Sequence, residues 1–247
     1  PYTTLFRSYC LWLVANENNL NELERVLALN EIANRLEQVK EMRLASKDSG
    51  ANKLAERPHQ FRDVVNPKNY ILVPRVSSER RRYLPIGFLS QNIVTTDANQ
   101  MIPNATMYEF GILNSIIHNE WMRLVTGRLE SRYNYSGTIV YNTFPFPTVT
   151  DEQKKHIEHL AEEILLTRED FAGETLAKLY DPDTMPEPLK IAHQNLDDAV
   201  DKLYHPKGFA DTASRLAHLL ERYESLINTE KKQAIDKKAK KAKVKKE

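Results

Sequence analysis

The 247-residue chain is 41% apolar and 28% charged, enough for one large or two modest water-soluble domains, and no apolar run is long enough to cross a bilayer. A single cysteine, Cys10, excludes an intrachain disulfide and a cysteine-rich zinc site and fits a reducing cytosol. The net charge of +1 conceals an uneven distribution: residues 149–230 carry nine basic and eighteen acidic groups, whereas residues 231–247 carry nine lysines and two acids, so uniform polyanion binding is not expected and a localised basic patch remains open.

The opening "PYTTLFRS" back-translates as CCC TAC ACG ACG CTC TTC CGA TCT, a common sequencing-adapter read. Residues 1–8 are therefore expected to be an assembly scar, and the chain to be the C-terminal piece of a longer protein. "YCLWLV" (9–14) reads as a strand, the last of a domain that precedes it. From Leu20 to Ser46 the apolar residues recur at helical spacing, and "KDSGANK" breaks the pattern.

Residues 49–148 read as a mixed α/β domain. "NYILVPRV" is a strand whose Pro74 suggests an edge or a bulge, and "RRYLPIGFL" is its expected partner across a turn near residues 77–80. Leu113, Ile116, Ile117, Trp121, Leu124 and Val125 form one helical face, with Gly127 placed as a C′ glycine. "GTIVYNTFPFP" continues as strand and then as Pro-limited loop.

From Thr150 the pattern is helical, with Thr150 and Gln153 at capping-box spacing and Ile157, Leu160, Ala161, Ile164 and Leu165 on one stripe. A second helix is predicted over 186–204 and a third from Asp211 or Thr212, with Leu216, Leu220 and Tyr223 inward. The predicted fold class is α+β: the mixed domain, then a small helical bundle over 149–228. The Lys-rich stretch 229–247 has too few large apolar residues to bury and is expected to be disordered, or helical only on contact.

No catalytic constellation is visible: there is no Gly-rich phosphate loop, no G-x-S-x-G elbow and no H-E-x-x-H pair. His156 and His159 read as a surface pair, so no metal site is assigned. Binding chemistry is better represented. "PRVSSERRRY" gathers Arg75, Arg80, Arg81 and Arg82 with Ser77 and Ser78 around one turn, the forks and hydroxyls that phosphate oxygens take. "GRLESRYNYS" (127–136), read as extended, puts Arg128, Glu130, Arg132 and Asn134 on one face. An arginine can pair with guanine and a carboxylate can accept from cytosine, so Glu130 and Arg132 could span one C·G pair, worth roughly 1–3 kcal/mol of discrimination. They could equally be a surface ion pair worth about 0–1 kcal/mol. Spacing alone does not choose.

"ILVPRVSSERRRYLPIGFL", "GRLESRYNYSGTIVYNTFPFP" and "LYDPDTMPEPLKIAHQNLDDAVD", with "KEMRLASK" at 40–47, resemble the MmeI-like fused restriction–modification enzymes and adenine DNA methyltransferases. The resemblance covers the chain from Tyr9 to about Tyr223. It implies bacterial origin, double-stranded DNA as partner, and a target recognition domain followed by a C-terminal helical domain, with residues 9–48 as the end of a methyltransferase domain and a helical connector. It also implies that S-adenosylmethionine, the catalytic loop and any nuclease belong to preceding parts of the same polypeptide. Its base-reading positions fall on the pair Glu130 and Arg132 and on a second pair, Ala98 and Asn134. Phosphate contacts would come from Arg75, Ser77, Ser78, Arg80, Arg81, Arg82 and Arg128. The competing reading is a stand-alone helical interaction protein that binds RNA or acidic partners through the Arg turn and Lys tail.

Overall fold

The computed structural model describes residues 10–13, 20–63, 65, 67–91 and 93–244, with residues 20 and 233–244 by backbone alone. The adapter-like residues 1–8 lie outside these. Of the expected first strand, Tyr9 and Val14 also lie outside, and Cys10–Leu13 has no regular structure. The chain divides into two compact units between residues 66 and 67.

The first unit is helical. α1 (Leu20–Leu27) and α2 (Asn30–Leu44) fill the stretch with helical spacing, and a third short helix, α3 (Ser49–Leu54), occupies the segment expected only to break it. Asp48 makes that helix possible by accepting the Gly50 amide at 2.8 Å as N-cap. Arg43 fastens the turn after α3, donating to the carbonyls of Leu54 (2.8 Å), Arg57 (3.0 Å) and Gln60 (2.7 Å).

The second unit holds two small antiparallel sheets and a helical core. β1 (Asn69–Pro74) is flanked by β3 (Gly87–Ser90) and β4 (Asn99–Pro103). β2 (Val76–Ser77), β5 (Gly127–Leu129) and β6 (Arg132–Asn134) make the other sheet, in the order β2-β6-β5. β1 is thus central, not an edge. Pro74 is tolerated because it closes the strand, and the chain bends at Arg75 into the second sheet.

The single helix expected after residue 110 is two: α4 (Met107–Asn114) and α5 (Ile116–Val125), separated by Ser115 in an extended conformation. Leu124, placed on the buried face by periodicity, is exposed. Gly127 is not a left-handed cap; Thr126 caps α5 in an extended conformation and Gly127 opens β5. "GTIVY" forms a π-helical turn (Gly137–Tyr141) instead of strand, closed by the Asn142 amide on the Gly137 carbonyl at 2.9 Å.

α6 (Asp151–Glu169) starts at the expected capping box, with Gln153 N–H on Thr150 Oγ1 at 3.2 Å, and buries Ile157, Ala161 and Ile164. α7 (Leu176–Leu179), α8 (Glu187–Tyr204) and α9 (Thr212–Val244) complete the fold. Among the α9 residues whose side chains are described, Leu219 is buried, and Leu220, one position on, is exposed. The Lys-rich stretch, expected to be disordered or helical only on contact, continues α9 to Val244, in keeping with the high helix propensity of alanine and lysine.

The mixed segment and the helical bundle share one core. Ile112, Ile117 and Trp121 belong to the same buried cluster as Ile157, Leu196 and Leu219. Gly111 permits a close approach of α4 to α6: a Cβ there would lie 2.7 Å from the Ile157 side chain and 3.3 Å from its carbonyl oxygen. A boundary at 148/149 is therefore one of sequence pattern and not of packing.

Candidate nucleic-acid interface

The stretch "GRLESRYNYS" folds back on itself as a hairpin. Leu129 faces Arg132, Arg128 faces Tyr133 and Gly127 faces Asn134, so the loop has two residues, Glu130 and Ser131. Glu130 adopts φ +58°, and Ser131 does not share a positive φ. A positive φ at the first loop residue alone is the pattern of a type II′ hairpin turn, where glycine is usual. Holding a glutamate there costs about 1 kcal/mol or more.

This turn overturns part of the expected face. Cross-strand partners share a side of a sheet, so Arg132 and Asn134 lie with Leu129 and Gly127, while Arg128 and Tyr133 lie on the opposite side. Glu130 and Arg132 do come together: Arg132 Nη2 meets Glu130 Oε2 at 2.8 Å, with both side chains in solvent (46% and 77% exposed). Arg128 instead stacks on Tyr133, its guanidinium carbon 4.3 Å from the ring centre, and donates to the Ser131 carbonyl at 3.0 Å.

Ala98 and Asn134 are also brought near one another, by backbone. The Arg75 amide donates to the Ala98 carbonyl at 3.0 Å, and the Arg75 carbonyl accepts the Tyr135 amide at 2.7 Å. The next residue, Val76, pairs with Asn134. Arg75 thus joins the two sheets, and Ala98 and Asn134 flank it, both exposed. Nothing in the sequence marks Arg75 for this role, because its backbone performs it.

The Arg turn is less free than its charge suggests. Arg80 pairs with Asp183 at 2.6 Å, although both side chains remain more than half exposed. Arg81 Nη2 reaches the Ala177 carbonyl at 3.4 Å, and Arg82 Nε donates to the Tyr83 hydroxyl at 3.1 Å. Arg123 donates to the carbonyls of Arg81 (2.9 Å) and Arg82, fixing the turn against α5. Ser77 is 3% exposed, because its strand position faces Tyr133 on the buried side of the sheet; its hydroxyl is not available to a phosphate. Ser78 is half-buried and Arg75 and Arg82 are exposed.

Beneath the turn lies a buried polar network that links it to the bundle. The Asp197 carboxylate accepts from the Tyr83 hydroxyl and from the Ile116 amide, each at 2.7 Å. Desolvation pushes the Asp197 carboxyl up to about 7 despite those bonds. Tyr83 stacks on His193, and Arg168 binds the Tyr180 hydroxyl, the Ile86 carbonyl and Asn114. His118 is buried between the Leu113 carbonyl (3.2 Å) and Tyr135 (3.4 Å), and burial lowers its imidazole to about 3. Among the described residues no cluster of His, Cys, Asp and Glu could hold a metal ion. No two of the seven glycines lie within nine positions of each other, so the chain does not carry a Gly-rich cofactor loop. Among the described residues no helix is long and apolar enough to cross a membrane.

Comparison with known proteins accords with this architecture. Residues 3–148 match the family description "MmeI, target recognition domain", and residues 149–231 match "MmeI, C-terminal domain". DNA methyltransferase A of Bacillus subtilis (strain 168) is 41% identical over 219 residues, 88% of this chain and 24% of that protein. The solved structure of the type IIL restriction–modification enzyme MmeI in complex with DNA superposes with a TM-score of 0.80 at 42% identity, over 89% of this chain and 29% of that one. The chain therefore spans about a quarter of these relatives and belongs to the MmeI family, as its target recognition and C-terminal domains.

Proposed function

We propose that this chain is the part of a DNA-modifying enzyme that selects where on double-stranded DNA the enzyme acts. The observation that carries the proposal is the Glu130–Arg132 pair, displayed in solvent at the tip of a hairpin on a fold whose solved relative holds DNA. An acceptor and a bidentate donor 2.8 Å apart match the two edges of a C·G pair in the major groove, and reversing them would reverse the preferred orientation. Ala98 and Asn134, either side of Arg75, form the second reading position. Arg75, Arg80 and Arg82, with Ser78, supply phosphate contacts that set register without reading sequence.

The whole polypeptide would be an N6-adenine methyltransferase of the bacterial cytoplasm. S-adenosylmethionine would supply the methyl group from a domain outside this chain. Residues described here bind and orient the duplex; no group among them is placed to carry the transfer.

The test is selection from a randomised double-stranded DNA library by the chain itself. Enrichment of a defined motif, lost in the double variant Glu130→Ala/Arg132→Ala at one base pair only, is the expected result. Uniform retention of all sequences would refute the reading.

A further inference from the structure

We infer that Arg128 is a positioning residue for the hairpin tip and not a phosphate contact. The inference rests on the DNA-reading role proposed for Glu130 and Arg132. Strand register puts Arg128 across from Tyr133, on the side of the sheet away from Arg132 and Asn134. Its planar guanidinium covers the Tyr133 ring at 4.3 Å, well inside the range of a cation–π contact. One arm of the same fork donates to the Ser131 carbonyl at 3.0 Å. Ser131 is the second of the two loop residues, so this bond restrains the loop from behind.

Tyr133 is itself anchored. It is buried, it pairs with Ser77 on the neighbouring strand, and the Arg123 guanidinium lies 5.9 Å from its ring centre. Arg123 in turn donates to the Arg81 carbonyl at 2.9 Å. A continuous path of contacts thus runs from the Arg turn through Arg123 and Tyr133 to Arg128 and the loop. At the base of the hairpin, the Thr126 hydroxyl donates to the Asn134 carbonyl.

The tip needs such support. Bidentate recognition of a base tolerates about 0.5 Å of displacement. Glu130 is held in a left-handed conformation that its side chain does not favour. Without the bond to Ser131, the strained loop could relax and separate the directions of Glu130 and Arg132. Arg128 would then act on base choice without touching a base.

The experiment compares the unaltered chain with Arg128→Lys and Arg128→Ala on a randomised double-stranded DNA library, together with the salt dependence of binding to the enriched duplex. Lysine keeps the charge that a phosphate contact needs and loses the planar stacked fork. The unaltered chain should favour one base pair at the Glu130–Arg132 position by roughly tenfold or more. Both variants should fall to about twofold there, while Arg128→Lys keeps the salt slope of the unaltered chain. If Arg128→Lys selects as the unaltered chain does, the inference is overturned and the reading of Glu130 and Arg132 survives. It is equally overturned if Arg128→Ala lowers the salt slope by about 0.9 with selection intact, the mark of one lost phosphate contact. Absence of any selection by the unaltered chain overturns both. Thermal melting of the variants within a few degrees of the unaltered chain is expected, since Arg128 is exposed; a collapse of the melt in both would make the residue a fold determinant and overturn the positioning role.

Discussion

The carboxylate of Asp197 accepts the amide hydrogen of Ile116 at 2.7 Å, so α8 caps a helix that begins 81 residues earlier in the chain. The same carboxylate takes the Tyr83 hydroxyl, tying the Arg turn to both helices. Burial raises its folded-state pKa to about 7, above its ordinary 3.8, so the folded state holds a proton that the unfolded chain releases. The stability that this proton confers is present below about pH 4 and is lost as pH rises through 7, at no more than about 1.4 kcal/mol per pH unit. His118 runs the other way: its pKa is lowered from 6.5 to about 3, so its contribution is present above 6.5 and is lost as pH falls toward 3. Asp197→Asn keeps an acceptor for Ile116 and removes the charge. Melting of that variant should rise above the unaltered chain at pH 8 and should fall steadily from pH 6.5 to 4, whereas Asp197→Ala should melt lower at every pH. A melting profile of Asp197→Asn parallel to that of the unaltered chain would contradict the assignment.

Gly111→Ala should destabilise the second unit by about 1–3 kcal/mol, because the new methyl meets both the side chain and the backbone of Ile157. Urea denaturation measures it. The loss should appear in one transition that includes both the sheet segment and the bundle, since they share a core.

Glu130→Gly separates stability from recognition. Glycine accepts φ +58° without the strain of a side chain, so the melting point should hold or rise by an amount equivalent to about 1 kcal/mol. Base selection at the corresponding position should vanish in the library experiment. A lower melting point with selection retained would reverse the account of this turn.

Arg80→Ala should leave stability within about 1 kcal/mol, the usual worth of an exposed ion pair such as that with Asp183. If Arg80 exchanges Asp183 for a phosphate on binding, the salt slope should fall by about 0.9 with the selected motif unchanged. Binding titrations across a range of salt concentrations read this directly.

Much of the fold was legible in local signals. The Thr150 capping box, the stripe through Ile157 and Ile164 and the α+β order all follow from spacing within a few residues. What escaped depends on partners far away in sequence. Ser115 splits α4 from α5 without a proline or glycine to announce it, and the new helix start is satisfied by Asp197. Arg80, Arg81 and Arg82 were visible as charge, but their partners Asp183, Ala177 and Tyr83 decide how much of that charge is free. The hairpin is the sharpest case. Glutamate gives no hint of a left-handed turn, so strict alternation placed Arg128 beside Arg132, and the turn moved it to the other side of the sheet.

The proposed role of the chain stands or falls on Glu130 and Arg132 together reading one base pair. The most direct measurement is the motif enriched from a randomised duplex library by the double variant Glu130→Lys/Arg132→Asp. The predicted result is the original motif with a single C·G pair reversed and every other position unchanged. The same motif in the original orientation, enriched to the same degree, would contradict it.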